Sequence, residues 1–332
     1  MAISGQASSA QLAPFRIDPW YSPRPWGFCD LRPWFDRVAE GEPIGEAWLT
    51  GDECLVATGP HKGEQLGAVF SANHDALVGA GRPAGSPLLI KVIFAREKLS
   101  VQVHPDDKMA QKYGEPRGKT ECWFALAAEP GSKVALGLKP GTTLEQVREE
   151  IAAGTLESSL VAVPVARGDM IFVDSGTVHA IWPGPILLET QQYSDTTYRM
   201  FDYGRPRELH IEKALEATKL VTRAGKIAPQ RLADRTVLID VEYFRVEQID
   251  IDASRTSASL RREGENPGLA YLFAAAGAGR LSGTGIEPID LPARGIVAVP
   301  ASSPEFVVED TSRQSDRLDL IRITPNWPAQ HL

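Results

Sequence analysis

The sequence is poor in cysteine, and its three cysteines, Cys29, Cys54 and Cys122, form no CxxC pair. This scarcity argues against a disulfide framework and against a thiolate metal site, because both need paired or closely spaced thiols. The chain also lacks any uninterrupted apolar run near the ~20 residues that a membrane-spanning helix needs. We therefore expect a cytoplasmic protein with no membrane partner.

Positive charge is scarce as well, since 35 lysines and arginines stand against 43 aspartates and glutamates, for a net charge of -8. A broad nucleic-acid footprint is thereby excluded, and any phosphate site must be a local basic cluster in an acidic protein. Residues 1–14 lack the basic start and the apolar stretch of a signal peptide. We interpret them as a flexible leader.

Glycine and proline are abundant, at 29 and 25 residues of 332, and they divide the chain into short apolar or alternating runs. This texture predicts an all-β protein with a few helices. The pattern breaks near residues 224–235, so we predict a larger domain with helical segments over 15–230 and a smaller β-domain over 231–332. Helical apolar spacing predicts helices over 66–78, 143–153 with Thr142 as N-cap, and 208–221, with a further short helix over 106–113.

Polar residues alternate with apolar ones between residues 99 and 104. A β-strand there points Ser100, Gln102 and His104 to the same face. The bland alternative is that these side chains are only the solvated face of a half-buried strand.

Two further segments add ligand-type side chains. Lys119 and Glu121 share a strand face for the same reason, and His179 follows a turn and begins an apolar run. Neutral imidazole with carboxylate oxygen is a ligand set that zinc accepts. A mononuclear metal site is therefore the leading interpretation.

Longer motifs surround these residues. In chain order they are Pro-Trp-Gly at 25–27, Ile-Gly-Glu-Ala-Trp at 44–48, Gln-Val-His-Pro-Asp-Asp at 102–107, Gly-Lys-Thr-Glu-Cys-Trp at 118–123, Ser-Gly-Thr-Val-His-Ala at 175–180 and Leu-Glu-Thr-Gln-Gln-Tyr-Ser-Asp-Thr-Thr-Tyr-Arg at 188–199. In order and content they resemble the class I mannose-6-phosphate isomerases, zinc enzymes of the cupin superfamily, particularly the short bacterial form. The resemblance extends from residue 25 to residue 210.

The resemblance implies a cupin (jelly-roll) β-barrel, followed by a second, smaller and degenerate cupin-like β-domain without metal ligands. It implies an isomerase of carbohydrate metabolism that interconverts mannose 6-phosphate and fructose 6-phosphate through an enediol. It also implies one Zn²⁺ per chain, held by Gln102, His104, Glu121 and His179. The implied partner is a small sugar phosphate, and the sequence indicates no oligomeric state.

The resemblance further assigns roles to individual side chains. Arg199 would stabilise the enediolate, Glu189 would act in proton transfer, and Lys119 is the basic residue beside the metal-binding glutamate. Ser100 and Lys91 match positions near the phosphate or the sugar, and Arg205 is a weaker candidate of the same kind.

Other interpretations remain open at this stage. Glu189 and Arg199 also fit a buried ion pair, and Lys91 also fits an edge-strand lysine that extends to solvent. A metal-dependent cupin oxygenase is an alternative, because histidine and carboxylate sets also bind Fe(II). A non-catalytic sugar-phosphate-binding protein is the other, because a fold alone does not establish activity.

Overall fold

The structure is a computed structural model that describes residues 11–251, 254–312 and 317–327. Residues 1–10 of the expected leader lie outside the described residues, whereas the amide of Leu12 donates a hydrogen bond to Ser302 Oγ at 3.1 Å. The expected class, all-β with a few helices, is confirmed by the elements below. No helix of the described segments has the length and apolar character that crossing a membrane requires.

The elements are listed here in chain order. The strands are β1 (Phe15–Asp18), β2 (Trp20–Phe28), β3 (Ile44–Trp48), β4 (Leu55–Val56), β5 (Leu88–Phe94), β6 (Val101–Val103), β7 (Glu121–Ala128), β8 (Lys133–Leu138), β9 (Leu160–Pro164), β10 (Met170–Val173), β11 (His179–Ile181), β12 (Pro185–Gln192), β13 (Tyr198–Phe201), β14 (Gly225–Ile227), β15 (Gln230–Arg231), β16 (Arg235–Asp240), β17 (Phe244–Ile249), β18 (Ser254–Thr256), β19 (Ala270–Ala276), β20 (Gly279–Gly283), β21 (Ile286–Leu291), β22 (Ile296–Val299), β23 (Val307–Asp310) and β24 (Asp319–Pro325). The helices are α1 (Leu66–Ala72), α2 (His74–Val78), α3 (Asp107–Lys112), α4 (Leu144–Ala153), α5 (Ile211–Ala217) and α6 (Ser257–Leu260), with a 3₁₀ turn at Leu156–Ser159.

The chain forms two compact units, and neither is a single stretch of sequence. The first unit contains Tyr21–Leu49 and Leu88–Pro229, and the second contains the described parts of Met1–Trp20, Thr50–Pro87 and Gln230–Leu332. A contiguous division near residue 230 was expected. Residues 15–18 and 55–56 instead join the C-terminal block because β1 pairs with both β22 and β4, which extends one sheet across distant segments.

Two sheets build the first unit. The larger sheet has the strand order β14-β10-β7-β12-β5-β3-β2, and the smaller has the order β13-β6-β11-β8-β9. The pairings within the smaller sheet are all antiparallel. Side chains from both sheets share one core, which includes Ile93, Trp123 and Leu187 of the larger sheet with Val134, Leu136 and Ile181 of the smaller one.

Helices cover the other face of the smaller sheet. Side chains that alternate with the inward ones, such as Ala135 and Leu138 on β8, pack there with Met109 of α3, Val147 of α4 and Leu215 of α5. This sheet is therefore buried on both faces, which explains why its strands are apolar at nearly every position.

The helix predictions are right in place and differ at their ends. The helix expected over 66–78 is divided at Asn73 into α1 and α2, and the one expected over 208–221 begins at residue 211 and ends at 217. The predicted N-cap Thr142 is wrong, because α4 is capped by Thr143, whose Oγ1 accepts from the amide of Gln146. One residue of register decides which hydroxyl reaches the free amides of the first turn.

The second unit is a sandwich of two antiparallel sheets. Their strand orders are β15-β16-β17-β24-β19-β22-β1-β4 and β18-β23-β20-β21. Its core contains residues such as Leu272, Leu281, Val297, Val308 and Leu320. At one end, the buried Glu247 lies between Arg245 and Arg322, with Nη–Oε distances of 2.7 and 2.9 Å.

Candidate metal centre and active-site cavity

Three ligand-type side chains converge between the two sheets of the first unit. The ligand atoms of His104, Glu121 and His179 all lie within 4.8 Å of one another, and each side chain is at most 2% exposed. His179 begins β11 and Glu121 begins β7, while His104 follows directly after β6. These three of the four predicted ligands are therefore brought together by strand ends.

Both histidines are oriented by backbone carbonyls. His104 Nδ1 donates to Thr196 O at 2.9 Å, and His179 Nδ1 donates to Thr177 O at 2.9 Å. Each imidazole therefore carries its proton on Nδ1 and has a lone pair on Nε2. Backbone carbonyls that accept from Nδ1 hold metal-binding histidines in this form. The two Nε2 atoms lie 3.7 and 3.5 Å from the carboxylate oxygens of Glu121, too far for hydrogen bonds.

Buried acceptor atoms in this cluster suit a bound cation. Within the part of the chain that the structure describes, no hydrogen-bond donor reaches His104 Nε2 or Glu121 Oε1, although both atoms are fully buried. Buried acceptors of this kind are costly without a partner. Two imidazole nitrogens and a carboxylate form a donor set that suits Zn²⁺, so the residues fit the metal that the sequence implied.

Gln102 is the fourth predicted ligand, and it lies at the same place. Its Nε2 is 3.2 Å from His179 Nε2, and its Oε1 accepts from Ser100 Oγ at 3.2 Å. Rotation of the amide by half a turn exchanges these two atoms and turns the carbonyl oxygen toward the cluster. Gln102 can thus complete the donor set, and Ser100 holds its side chain.

Burial keeps both imidazoles neutral. It lowers the pKa of His179 to about 4, because the charged form loses its hydration and Lys119 is nearby. Burial also lowers the pKa of His104 well below its usual range, together with the positive charge of Lys119 and the neighbouring His179. Neutral imidazole is the form that binds a metal, so the site is prepared for one well below neutral pH.

Lys119 stays charged at the edge of the cluster. Burial opposes its charge, but the carboxylates of Glu121, Glu189 and Asp195 outweigh burial and raise the pKa of Lys119 above its usual value. Its Nζ lies 3.1 Å from Glu121 Oε2. Lys119 is therefore a fixed ammonium beside a ligand carboxylate.

A cavity of about 430 Å³ opens beside the cluster. Its charged lining comprises the cations Arg24, Lys91, Lys119, Arg199 and Arg207 and the carboxylates Glu46, Glu189 and Asp195. Gln102 and Trp123 also line it. An excess of cations around a cavity of this size suits a small anionic ligand, although the whole protein is acidic.

Glu189 lies between a lysine and a tryptophan on the two neighbouring strands of the larger sheet. In the larger sheet, Glu189 of β12 faces Lys91 of β5 on one side and Trp123 of β7 on the other. Trp123 Nε1 donates to Glu189 Oε1 at 3.2 Å, and Lys91 Nζ is 3.8 Å from Glu189 Oε2. Burial raises the pKa of Glu189 to about 7, with Glu121 raising it further and Lys119 and Lys91 opposing the shift. A carboxyl poised near neutrality is suited to proton transfer.

Two of the alternative interpretations do not describe the observed contacts. Arg199 Nη1 donates to the carbonyl of Glu208 at 2.7 Å, so it does not form the buried pair with Glu189. Lys91 is 2% exposed and lies within 3.9 Å of carboxylate oxygens of Glu46, Glu189 and Asp195, so it does not extend to solvent.

Not all predicted substrate residues reach the cavity. Lys91 lines it, whereas the Ser100 hydroxyl is buried against Gln102. Arg205 is engaged elsewhere, with Asp202 Oδ1 at 3.1 Å, Glu97 Oε2 at 3.3 Å and the carbonyl of Lys98 at 2.9 Å.

Sequence patterns assigned no role to four charged residues that line this cavity, namely Arg24, Glu46, Asp195 and Arg207. Arg24 had a signal, because it lies two residues before Trp26 and so shares its strand face. Asp195 lies inside one of the quoted motifs. Arg207 differs from the predicted Arg205 by only two positions.

The chain is similar in sequence to one family of enzymes and to several known proteins. Residues 30–131 match the family model described as phosphomannose isomerase type I, catalytic domain. A mannose-6-phosphate isomerase of Streptococcus mutans is 36% identical over 243 residues, which cover 69% of this chain and 76% of the relative. A probable mannose-6-phosphate isomerase of Bacillus subtilis, GmuF, is 31% identical over 315 residues, or 90% of this chain and 96% of the relative.

The fold is similar to that of solved structures from two bacteria. The mannose 6-phosphate isomerase of Bacillus subtilis superimposes with a TM-score of 0.82 at 28% identity, over 94% of this chain and 100% of the other. Phosphomannose isomerase variants from Salmonella typhimurium share the fold at 16% identity, with a TM-score of 0.76 over 95% of this chain and 100% of the other.

Proposed function

Because the chain belongs to the type I phosphomannose isomerases, a family of aldose-ketose isomerases with the cupin fold, we propose that it interconverts mannose 6-phosphate and fructose 6-phosphate. We propose that it does so as a zinc enzyme and through an enediol. The observation that carries the proposal is the buried His104, Glu121 and His179 cluster, with its unpaired acceptor atoms, beside a cavity with excess positive charge.

The metal would be held by Gln102, His104, Glu121 and His179. When bound, Zn²⁺ supplies a Lewis acid that polarises substrate oxygens. The chain itself orients the two histidine ligands, because the carbonyls of Thr196 and Thr177 accept hydrogen bonds from their imidazoles. The same site does not favour an oxygenase, because the cavity lining is dominated by charged groups that suit a polar anionic substrate.

Aldose to ketose conversion removes a proton from C2 and returns one to C1. Glu189 has the pKa and the position for this transfer, because it is held by Trp123 Nε1 and its pKa of about 7 lets it both accept and release a proton near neutral pH. The proton that leaves C2 passes to the carboxylate and can return to C1, while the hydroxyl proton of O2 ends on O1, so no other reactant is consumed.

Negative charge develops on the substrate oxygens as the enediolate forms. Arg199 and Lys119 both line the cavity and both carry positive charge at neutral pH, so they stabilise that charge electrostatically. Arg199 directly faces Gln102 across the strand pair β13 and β6, which places its side chain on the metal side of the cavity. Lys91 contacts the same space and keeps Glu46, Glu189 and Asp195 compensated.

Relatives named for sugar-phosphate isomerisation support a place in cytoplasmic carbohydrate metabolism. The decisive experiment combines metal analysis with a coupled isomerase assay on the same purified sample. We expect about one zinc-class ion per chain and activity with mannose 6-phosphate, both lost in His104→Ala and His179→Ala. His61→Ala is the matched control, because the partly exposed side chain of His61 contacts Glu64 and lies outside the cluster. Full activity in a metal-free preparation would refute the zinc dependence.

A further inference from the structure

One wall of the active-site cavity groups guanidinium side chains around an indole. Arg24 and Trp26 lie two residues apart on β2 and so share a face, and both line the cavity. Arg207 reaches the same wall, with its Cζ 4.8 Å from the centroid of the Trp26 ring. We call Arg24, Trp26 and Arg207 the arginine wall.

Both arginines of the wall are held by carboxylates along one edge. Arg24 donates through Nε and Nη2 to the two oxygens of Glu46, at 3.3 and 3.2 Å. Arg207 donates through Nε and Nη2 to the two oxygens of Asp202, both at 2.6 Å. Glu46 is 8% exposed and Asp202 is 2% exposed, so the carboxylate of each clamp is buried. Arg24 Nη1 also donates to the carbonyl of Pro23 at 3.1 Å, which leaves Arg24 one further N–H on each Nη atom. A guanidinium held in this way is pre-organised to bind an anion with its remaining N–H groups.

Glu46 and Asp202 offset the charge of the two arginines that they hold, and Asp202 also accepts from Arg205 Nη1 at 3.1 Å. Over the whole cavity lining, five cations stand against three carboxylates, so positive charge is in excess. Arg199 is one of these cations, and its Nη1 donates to the uncharged backbone carbonyl of Glu208.

Unpaired donors accompany the cations. Trp26 Nε1 is buried, and it has no acceptor among the described residues although the whole residue is only 5% exposed. The buried Arg199 Nε also lacks an acceptor within the described ranges. Buried N–H groups normally have partners. Protein atoms enclose both of these nitrogens, so the N–H groups that are open to the cavity are those of the partly exposed Arg24 and Arg207 side chains. A phosphoryl group supplies three acceptor oxygens for them.

The opposite condition holds at the site where the sequence placed the phosphate. Lys91 already lies near three carboxylates, Glu46, Glu189 and Asp195. Glu46 is shared with Arg24, but Glu189 and Asp195 are not, so a dianion brought to Lys91 would meet two additional like charges at short range. Ser100 donates to Gln102, and Arg205 is held by Asp202 and Glu97 outside the cavity lining.

We propose that the two guanidinium groups of the arginine wall, those of Arg24 and Arg207, bind the phosphoryl group of the sugar phosphate, with the Trp26 ring packed against Arg207. This inference rests on the proposed function and names the residues that recognise the phosphate in it. Arg199 is the cross-strand partner of Gln102, so it serves the end of the substrate near the metal. Glu46 and Asp202 are positioning residues that act through the two arginines.

The test uses the metal-loaded protein and its Arg24→Met and Arg207→Met variants. Inorganic phosphate is titrated by calorimetry, and kinetics are measured with mannose 6-phosphate and with mannose. Each variant should raise the Kd for phosphate and the KM for mannose 6-phosphate about 10-fold or more, the scale for losing a hydrogen bond to a charged group. Turnover of mannose should change far less. Arg148→Met is the control, because Arg148 pairs with Glu212 on the surface.

Conservative variants protect the test against misfolding. Arg24→Lys and Arg207→Lys keep the charge but lose the two-pronged clamp, so they should bind phosphate with intermediate affinity. They also carry the test if either methionine variant loses its near-ultraviolet circular dichroism spectrum or its metal.

The outcomes separate this inference from the proposed function. Active wild-type protein with unchanged phosphate affinity in the folded Arg24 and Arg207 variants would overturn the arginine wall and leave the isomerase proposal intact. Wild-type protein that binds phosphate through Arg24 and Arg207 but does not isomerise mannose 6-phosphate would support the wall and overturn the isomerase proposal.

Discussion

Gln102 and Arg199 are direct cross-strand partners, and His179 occupies the corresponding position on the other side of Gln102. Three side chains with different tasks thus stand in one row across β13, β6 and β11. Their spacing is set by the distance between hydrogen-bonded strands rather than by flexible loops. Sheet register therefore fixes the distance between His179 of the candidate metal centre and Arg199, which lines the cavity.

The stability of the metal-free protein should depend on pH through His179. Below pH 6.5 the unfolded chain binds a proton at this residue, whereas the folded protein does not bind it until about pH 4. The free energy of unfolding should therefore fall as the pH is lowered through that window, by up to about 1.4 kcal/mol per pH unit for one imidazole. Urea denaturation in the presence of a chelator measures it. Subtracting the values for His179→Gln isolates this residue, and equal pH slopes in both proteins would contradict the buried neutral imidazole.

Glu189 should control the acidic limb of the activity profile. Its ordinary pKa of 4.5 is raised to about 7 in the metal-free site, and an added cation lowers it again. We expect kcat/KM for mannose 6-phosphate to rise with pH through an inflection between these two values. Glu189→Gln should remove that limb and most of kcat, while Glu64→Gln, at an exposed position, should preserve both. An unchanged profile in the Glu189 variant would exclude it as the proton carrier.

Arg199→Met should retain the fold and the metal but lower kcat by a factor on the order of 100, the scale for losing one preorganised oxyanion donor. KM should change less, because the enediolate charge appears only during the reaction. Exchange of the C2 hydrogen with solvent reports enediol formation and should slow in parallel. Normal exchange in this variant would remove Arg199 from the step.

Arg205 was expected near the phosphate or the sugar, but it is not among the residues that line the cavity. Its guanidinium is bound by Asp202, Glu97 and the carbonyl of Lys98, so Arg205→Met should reduce kcat far less than Arg199→Met does. Equal losses in the two variants would contradict the placement of Arg205 outside the cavity.

Thr143→Ala should lower the free energy of unfolding by about 1 kcal/mol, because its hydroxyl caps the first turn of α4. Thr142→Ala is the adjacent control and should have a smaller effect, since its side chain caps no amide of that helix. Denaturant titration of both variants provides the measurement. A larger loss at Thr142 would place the start of the helix one residue earlier.

Gly45→Ala should damage the arginine wall without removing any functional group. A Cβ at Gly45 would lie 2.5 Å from Arg24 Cβ and 2.8 Å from Trp26 Nε1, so both side chains must move. We expect a lower Tm and a higher Kd for inorganic phosphate. Gly41→Ala is the matched control, since no atom lies within 4 Å of its added Cβ. Similar behaviour of the two variants would show that the close approach at Gly45 does not matter.

Local pattern was sufficient for the parts of the site that lie on strands. Alternation between residues 99 and 104 placed Gln102 and His104 together, and the same period placed Lys119 beside Glu121, which the structure shows as a contact of 3.1 Å. These features depend on neighbours one or two residues away, so they can be read from the chain.

Contacts between residues far apart in the chain could not be predicted from the sequence. Lys91 was expected near the phosphate or the sugar, and the structure shows that Glu46, Glu189 and Asp195 from other parts of the chain lie close to it. Arg205 and Arg207 are both arginines in one short loop, and only the fold shows which of them enters the cavity.

The sequence by itself determined the β-rich class, the four candidate ligands and the family resemblance, because those depend on residue type, period and motif order. The tertiary structure alone decided which charges compensate one another and which are left to bind a ligand. It also showed that β1 and β4 join the sheet of the C-terminal block. The physical reason is that ion pairing and sheet extension depend on distances between segments far apart in the chain, which only the folded packing sets.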